Sequence, residues 1–186
     1  NGKSDYIITI SKNPSQQAVK AAEELQHWLQ QMTTAKLPIV KEGSASAGKS
    51  KIVSIGRTEL LEKTFPEMAA EELINGGWGI AADKSKNLFL WGGKKRGCVN
   101  AVFTFLEEDL GCRWYTKEHT RLPKTDTLKV APVLRTYSPP LKLRDPFYWS
   151  SFKWKWSLHN RTNAPDAAVP DEYGGRVDYG QGTSFG

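Results

Sequence analysis

The sequence predicts an α+β fold, a mixed β-sheet covered by two main helices, and three observations predict it. Short β-branched or apolar runs recur at Tyr6–Ile10, residues 37–41, Lys51–Ile55, Trp78–Ala82 and residues 88–91. Two longer stretches carry apolar residues at three- and four-residue spacing, the helical period. From Thr120 this regularity stops: Pro123, Pro132, Pro139 and Pro140 punctuate the chain, then aromatics and then glycines take over.

Tyr6–Ile10 is a β-branched run that suits a buried strand. Asn13-Pro14-Ser15-Gln16 then offers an N-cap, a proline at the first helical position and a Gln at the capping-box position. In the helix that follows, Ala18, Ala21, Ala22, Leu25, Trp28, Leu29 and Met32 line one face, while Lys20, Glu24, Gln30 and Gln31 face water. Residues 37–41 and Lys51–Ile55 are the next strands, and a short helix broken near Pro66 fits between Thr58 and Leu73. Trp78–Ala82 and residues 88–91 form a hairpin around Asp83-Lys84-Ser85-Lys86. After Gly92-Gly93, the positions Val99, Val102, Phe103, Leu106 and Leu110 define the second covering helix, stopped by Gly111 in the left-handed C-cap position. Its last turn holds Glu107, Glu108 and Asp109 against the helix dipole, and Arg113 is the nearest basic residue to offset them.

A length of 186 residues corresponds to roughly 1.2 domains at about 150 residues each. With 39% hydrophobic and 25% charged residues the chain can build a core, which excludes wholesale disorder. Apolar runs are far shorter than the ~20 residues that cross a bilayer, and Asn1-Gly2-Lys3-Ser4-Asp5 has no signal-peptide core. The expectation is a soluble chain from which any export signal has been removed. The net charge of +6 is spread along the sequence. Its tightest group is Lys94-Lys95-Arg96, too little for the basic stripe of a nucleic-acid binder, so no nucleic-acid partner is expected. Cys98 and Cys112 flank one helix on the order of 20 Å apart at ~1.5 Å per residue, beyond the about 7 Å that a disulfide allows. With His27, His119 and His159 dispersed and no CxxC pair, neither a metal nor a cofactor is expected.

Gly43-Ser44-Ala45-Ser46-Ala47-Gly48-Lys49-Ser50 matches the phosphate-binding pattern GxxxxGK[ST]. That chemistry needs a helix after the loop, and Lys51-Ile52-Val53-Ser54-Ile55 reads as a strand, so a Ser/Ala/Gly connection is the better reading. Gly92-Gly93-Lys94-Lys95-Arg96-Gly97 lies between a strand and a helix N-terminus, where amides and cations could hold an anion such as a sugar carboxylate; tight-turn glycines with a solvated basic turn are the plainer alternative. The cluster Phe147, Tyr148, Trp149, Phe152, Trp154 and Trp156 could stack on sugar rings, with Trp149 and Trp154 as candidate contacts. Against this, Trp149, Phe152 and Trp156 stand at helical spacing, which suits packing. No GxSxG elbow occurs, and His159 reads as a capping or packing residue.

Leu110-Gly111-Cys112-Arg113-Trp114-Tyr115-Thr116, with Gly92-Gly93, Arg96-Gly97 and Phe105-Leu106-Glu107, resembles a known family. The likeness is to the small N-terminal domain that precedes the catalytic barrel in family 20 hexosaminidases, family 67 α-glucuronidases and related bacterial glycan-degrading proteins. The opening strand, Ala21-Ala22-Glu23-Glu24-Leu25, Trp28-Leu29 and Leu37-Pro38-Ile39-Val40 fit it too, so that the resemblance spans about residues 5–135.

The resemblance implies a hexosaminidase N-terminal-domain-like accessory domain over residues 1–135 that carries no catalytic residue. Residues 136–186 would be a linker and the truncated start of a catalytic (β/α)8 barrel, with the opening strand and helix in residues 141–163. Arg144 matches the arginine with which family 20 enzymes bind the terminal sugar. Hydrolysis needs paired carboxylates, and on this reading they lie beyond Gly186. The 46 residues from 141 to 186 cannot close a barrel of ~250 residues, so the chain alone should not turn over substrate. The partners implied are an oligosaccharide or polysaccharide and the missing barrel, with an extracytoplasmic location. A free-standing carbohydrate-binding module, or a structural domain with an exposed apolar docking patch, are the alternatives.

Overall fold

A computed structural model describes residues 2–44, 51–147, 149–163 and 165–176. The described chain is mixed α+β, built on a six-stranded, mostly parallel sheet. Its strands are β1 (Tyr6–Ile10), β2 (Ile39–Lys41), β3 (Lys51–Ile55), β4 (Trp78–Ala82), β5 (Leu88–Gly92) and, beyond the two-stranded ribbon described below, β8 (Leu134–Tyr137). They are ordered β2-β1-β3-β5-β4-β8, with β1, β2, β3 and β5 parallel and β4 antiparallel to β5 and β8.

Helix α1 (Gln16–Thr33) and α4 (Gly97–Thr104) pack side by side on one face of the sheet. In α1, Ala18, Ala21, Ala22, Leu25, Leu29 and Met32 are buried, as the spacing predicted. Each large side chain there contributes about 1.5–3 kcal/mol through burial. The cap differs from the expectation at Asn13: Ser15 is the N-cap, and its hydroxyl accepts from Ala18 N–H at 3.2 Å. The chain is still extended at Ser15 (ψ 156°), which places Pro14 ahead of the helix.

The sheet alternates its faces. Ile8, Ile10, Val53, Ile55, Ile80, Leu88 and Leu90 meet α1 and α4, whereas Ala81, Phe89 and Trp91 form a second cluster under α2 (Glu59–Thr64) and α3 (Pro66–Ala70). Thr58 caps α2, and the break at Pro66 falls where proline predicts it. The P-loop-like pattern is not followed by a helix, since β3 begins at Lys51; residues 45–50 of that pattern lie outside the described residues.

Helix α4 runs on through a π-helical turn, Phe105–Asp109, before Gly111 stops it at φ 79°. The acidic end is held by three arginines rather than one. Arg113 donates to the carbonyls of Glu107 and Cys112, Arg161 pairs with Glu107, and Arg135 of β8 reaches Asp109 at 2.7 Å and Glu108 at 3.3 Å. A two-stranded ribbon, β6 (Arg113–Trp114) with β7 (Thr120–Arg121), follows α4 and was not foreseen.

Beyond β8 the chain folds back over α1 and α4. Leu158 of α5 (Trp154–His159), with Ala167 and Val169, joins the main core. The Gly-rich end therefore has partners as far as it is described: Tyr173 bonds Glu24, and Gln17 bonds the carbonyl of Asp171. The strand expected around Arg144 does not form among the described residues. Without a neighbouring strand its backbone turns to a side chain, and Arg144 N–H donates to Asn163 Oδ1 at 2.7 Å.

Candidate functional site

The carboxyl ends of parallel strands are where open sheets collect ligand-binding loops. Here the loops after β3, β5 and β8 and the segment entering β4 meet at that edge around a cleft of about 360 Å³. Six cationic side chains line it, Arg57, Lys94, Lys95, Arg96, Lys142 and Arg144, with Glu72 the one carboxylate among its lining residues. A smaller pocket of about 170 Å³ shares Arg144 with it and is walled by Trp78, Tyr137 and Arg161 among others.

Close backbone approach builds the cationic wall. A Cβ on Gly92 would overlap Gly97, and one on Gly93 would overlap the carbonyl of Leu73. These glycines let the β5–α4 loop press against its neighbours. The left-handed residue of the turn is instead Lys95, at φ 62°. On the facing segment Asn75 (φ 53°) and Gly76 (φ 76°) also take left-handed backbone.

Arg96 and Arg144 are fixed by carbonyls. Arg96 is 4% exposed and donates to Gly175 O at 2.8 and 3.1 Å and to Thr162 O at 2.7 Å. Arg144 donates to Leu141 O at 2.8 Å and to Arg161 O at 3.2 Å. Lys94 and Lys95 stand exposed at the rim, and neither forms an ion pair among the described residues.

Two sequence candidates thus converge, the Gly92–Gly97 loop and Arg144. The two tryptophans stand apart from them and line neither cavity. Trp149 is 78% exposed with the Lys153 ammonium 5.4 Å from its ring centre. Trp154 is half-buried against Tyr173, with ring centres 5.4 Å apart. Tyr148 lies outside the described residues. Arg57, Lys142 and Tyr137 were missed, since each is an ordinary surface residue until the sheet brings its loop to this edge.

The remaining reactive groups are packed away. His159 sits among Trp28, Phe103 and Trp114, and burial, helped by Lys155 and His27, pushes its imidazole down to about 3. Burial pushes the Cys98 thiol up to about 12 and that of Cys112 to about 11; both are free. Among the described residues no three His, Cys, Asp or Glu side chains gather as metal ligands would, and no helix is long and apolar enough to cross a membrane.

No protein-family model matches the sequence, and no curated protein matches it. A solved structure does: a family GH115 4-O-methyl-α-glucuronidase with specificity for decorated arabinogalactans, with a TM-score of 0.56 over 87% of this chain at 12% identity. The likeness is one of fold. This chain matches only 25% of that enzyme's length, so the similarity concerns a part of a much larger glycoside hydrolase.

Proposed function

We propose that this chain is a non-catalytic accessory domain of a carbohydrate-active glycoside hydrolase acting on complex glycans. The observation that carries the reading is the fold shared with a quarter of a glycan-degrading enzyme. On this reading residues 1–135 form the hexosaminidase- and α-glucuronidase-type N-terminal domain, and residues 136–186 lead into a catalytic (β/α)8 barrel. Leu141, Leu143, Phe147 and Trp149, all exposed, would then lie where that barrel docks. The protein would work outside the cytoplasm, where complex glycans are met.

The sugar contacts proposed are Arg144, Trp149 and Trp154. Arg144 faces the cationic cleft, and Trp149 offers an open ring. Glycoside hydrolysis needs two carboxyl groups flanking the bond, and in the cleft Glu72 stands among cations. The chain therefore serves the reaction by holding or placing glycan while the carboxylate pair lies elsewhere. A free-standing carbohydrate-binding module is the second reading, favoured by the exposure of Trp149 and Phe147.

Sequencing the gene past the codon for Gly186 separates the two, together with assays of the purified chain on aryl glycosides. A frame continuing into strand–helix repeats with paired carboxylates, and no turnover by the 186 residues alone, is the expected result. An immediate stop codon would favour the binding module, and turnover by the chain alone would overturn the non-catalytic role.

A further inference from the structure

Trp78 of β4 and Tyr137 of β8 stand opposite each other across the two strands and wall the smaller pocket, of about 170 Å³, together with Asn100 of α4, Pro139 and Asn160 among others. We infer that this pocket holds one uncharged sugar ring, seated on Tyr137 and read through its hydroxyl groups by the two asparagines and the Trp78 indole. The inference rests on the carbohydrate reading above and adds to it a site and the class of sugar that fills it.

The asparagines present acceptors. Asn100 is 2% exposed, and its Nδ2 donates to Gly76 O at 2.8 Å. Asn160, which follows α5, donates from Nδ2 to Trp114 O and to Trp156 O, each at 3.1 Å. A carbonyl takes only a donor, so these bonds fix which end of each amide is the nitrogen. Each Oδ1 is left without a hydrogen-bond partner among the described residues, on an amide that lines the pocket. The indole N–H of Trp78 has none among them either. These three atoms are not sealed in the interior as the partnerless Nε1 atoms of Trp91 and Trp114 are. Polar atoms in so buried a wall cost stability unless something that enters the pocket pairs with them.

The ligand chemistry follows from that set. A hydroxyl both donates and accepts, so it satisfies an amide oxygen and an indole N–H alike, whereas a carboxylate only accepts and meets two oxygens of its own kind. The arginines of the wall do not reverse this preference. Arg161 pairs with Glu107, and Arg144 donates to Leu141 O and Arg161 O. The apolar face of the sugar has one platform. The Arg135 guanidinium lies over Trp78, 5.7 Å from its ring centre, and the Tyr137 ring is tilted 44° to the indole. Tyr137, 48% exposed, is therefore the ring on which sugar C–H bonds stack. The pocket is smaller than the ~300 Å³ at which sites for drug-sized molecules begin, so it takes one ring and not a chain.

Heteronuclear NMR of the isotope-labelled full chain tests this through its tryptophan indole N–H signals, that of Trp78 identified by sequential assignment. The probes are the methyl glycosides of galactose, xylose and N-acetylglucosamine, with methyl glucuronide as the acidic control. At least one neutral glycoside should shift the Trp78 signal saturably, equally at low and high salt, and bind more tightly than the glucuronide. Tyr137→Phe should retain this affinity, and Tyr137→Ala should weaken it by about fivefold or more through loss of the platform. No saturable shift of the Trp78 signal with any neutral glycoside, tighter binding of the glucuronide, or unchanged affinity in Tyr137→Ala would each overturn the inference. Shifts confined to the indoles of Trp149 and Trp154 would overturn this site and leave the carbohydrate reading standing.

Discussion

Trp91 of β5 lies against Gly79 of β4, its partner directly across the hairpin, so closely that any Cβ at Gly79 would overlap the indole. The indole is fully buried in the cluster under α2 and α3, and its Nε1 has no hydrogen-bond partner among the described residues. Gly79→Ala should therefore destabilise the fold by about 1–3 kcal/mol, the usual cost of overpacking a core. Urea unfolding reads it. Combining it with Trp91→Leu should recover part of that loss, because the two changes share one space; strict additivity would show that the indole is not the obstacle.

The acidic end of α4 makes a second prediction. Arg135 pairs with Asp109, whose side chain is 13% exposed, and with Glu108. Arg135→Met should cost about 1–3 kcal/mol, between an exposed pair and a buried one, by leaving carboxylates at the negative end of a helix. Adding Asp109→Asn should restore most of it. A double variant as unstable as the single one would assign the cost to the lost stacking of Arg135 on Trp78, 5.7 Å away.

Local signals in the sequence read well and distant ones did not. β1, β3 and β4 fall where their β-branched or apolar runs place them, and Gly111 stops its helix as its position requires. Ser15 displaced Asn13 as the cap because two capping residues flank Pro14, and one-dimensional spacing does not choose between them. β8 escaped notice because an edge strand with half its residues wet has no apolar run to betray it. The cleft was legible only in part: Lys94-Lys95-Arg96 stands out as a local cluster, whereas Arg57, Lys142 and Arg144 join it through strand order.

Cys98 and Cys112 should be inert in the folded chain. A thiol reacts as its thiolate, and burial raises both pKa values to about 11 or above. At pH 8, a disulfide reagent such as dithiobis-nitrobenzoate should label neither in native buffer and both in guanidinium. Rapid labelling of the native protein would mean that the helix joining them opens readily.

His159 should make the fold acid-sensitive. Its folded pKa, about 3, lies below the ordinary value of 6.5, so the unfolded chain takes up a proton in that interval and the folded chain does not. Stability contributed by the neutral ring is complete above about pH 6.5 and falls as pH drops toward 3, with a slope of at most about 1.4 kcal/mol per pH unit. Trp28, Phe103 and Trp114 surround the ring, and the charged groups acting on it, Lys155 and His27, oppose protonation further. His159→Phe should unfold in urea with a smaller loss of stability between pH 7 and 4 than the parent chain. Identical slopes would place the acid sensitivity in the carboxylates instead.

Arg96 ties the loop after β5 to the far end of the chain, since its guanidinium is buried and bonds the carbonyls of Thr162 and Gly175. Arg96→Ala should cost about 1.5–3 kcal/mol for the lost charge-assisted bonds, but the loss should be local. Gly175 would come free of the β5–α4 loop, while Tyr173 keeps its bond to Glu24. Hydrogen exchange in residues 165–176 should rise well before exchange in β1 or β5. Arg96→Lys should restore little, because an ammonium cannot span both carbonyls as a planar fork does. If protection of residues 165–176 is unchanged in Arg96→Ala, the bonds of Tyr173 and Asp171 to Glu24 and Gln17 of α1 are enough to hold the segment.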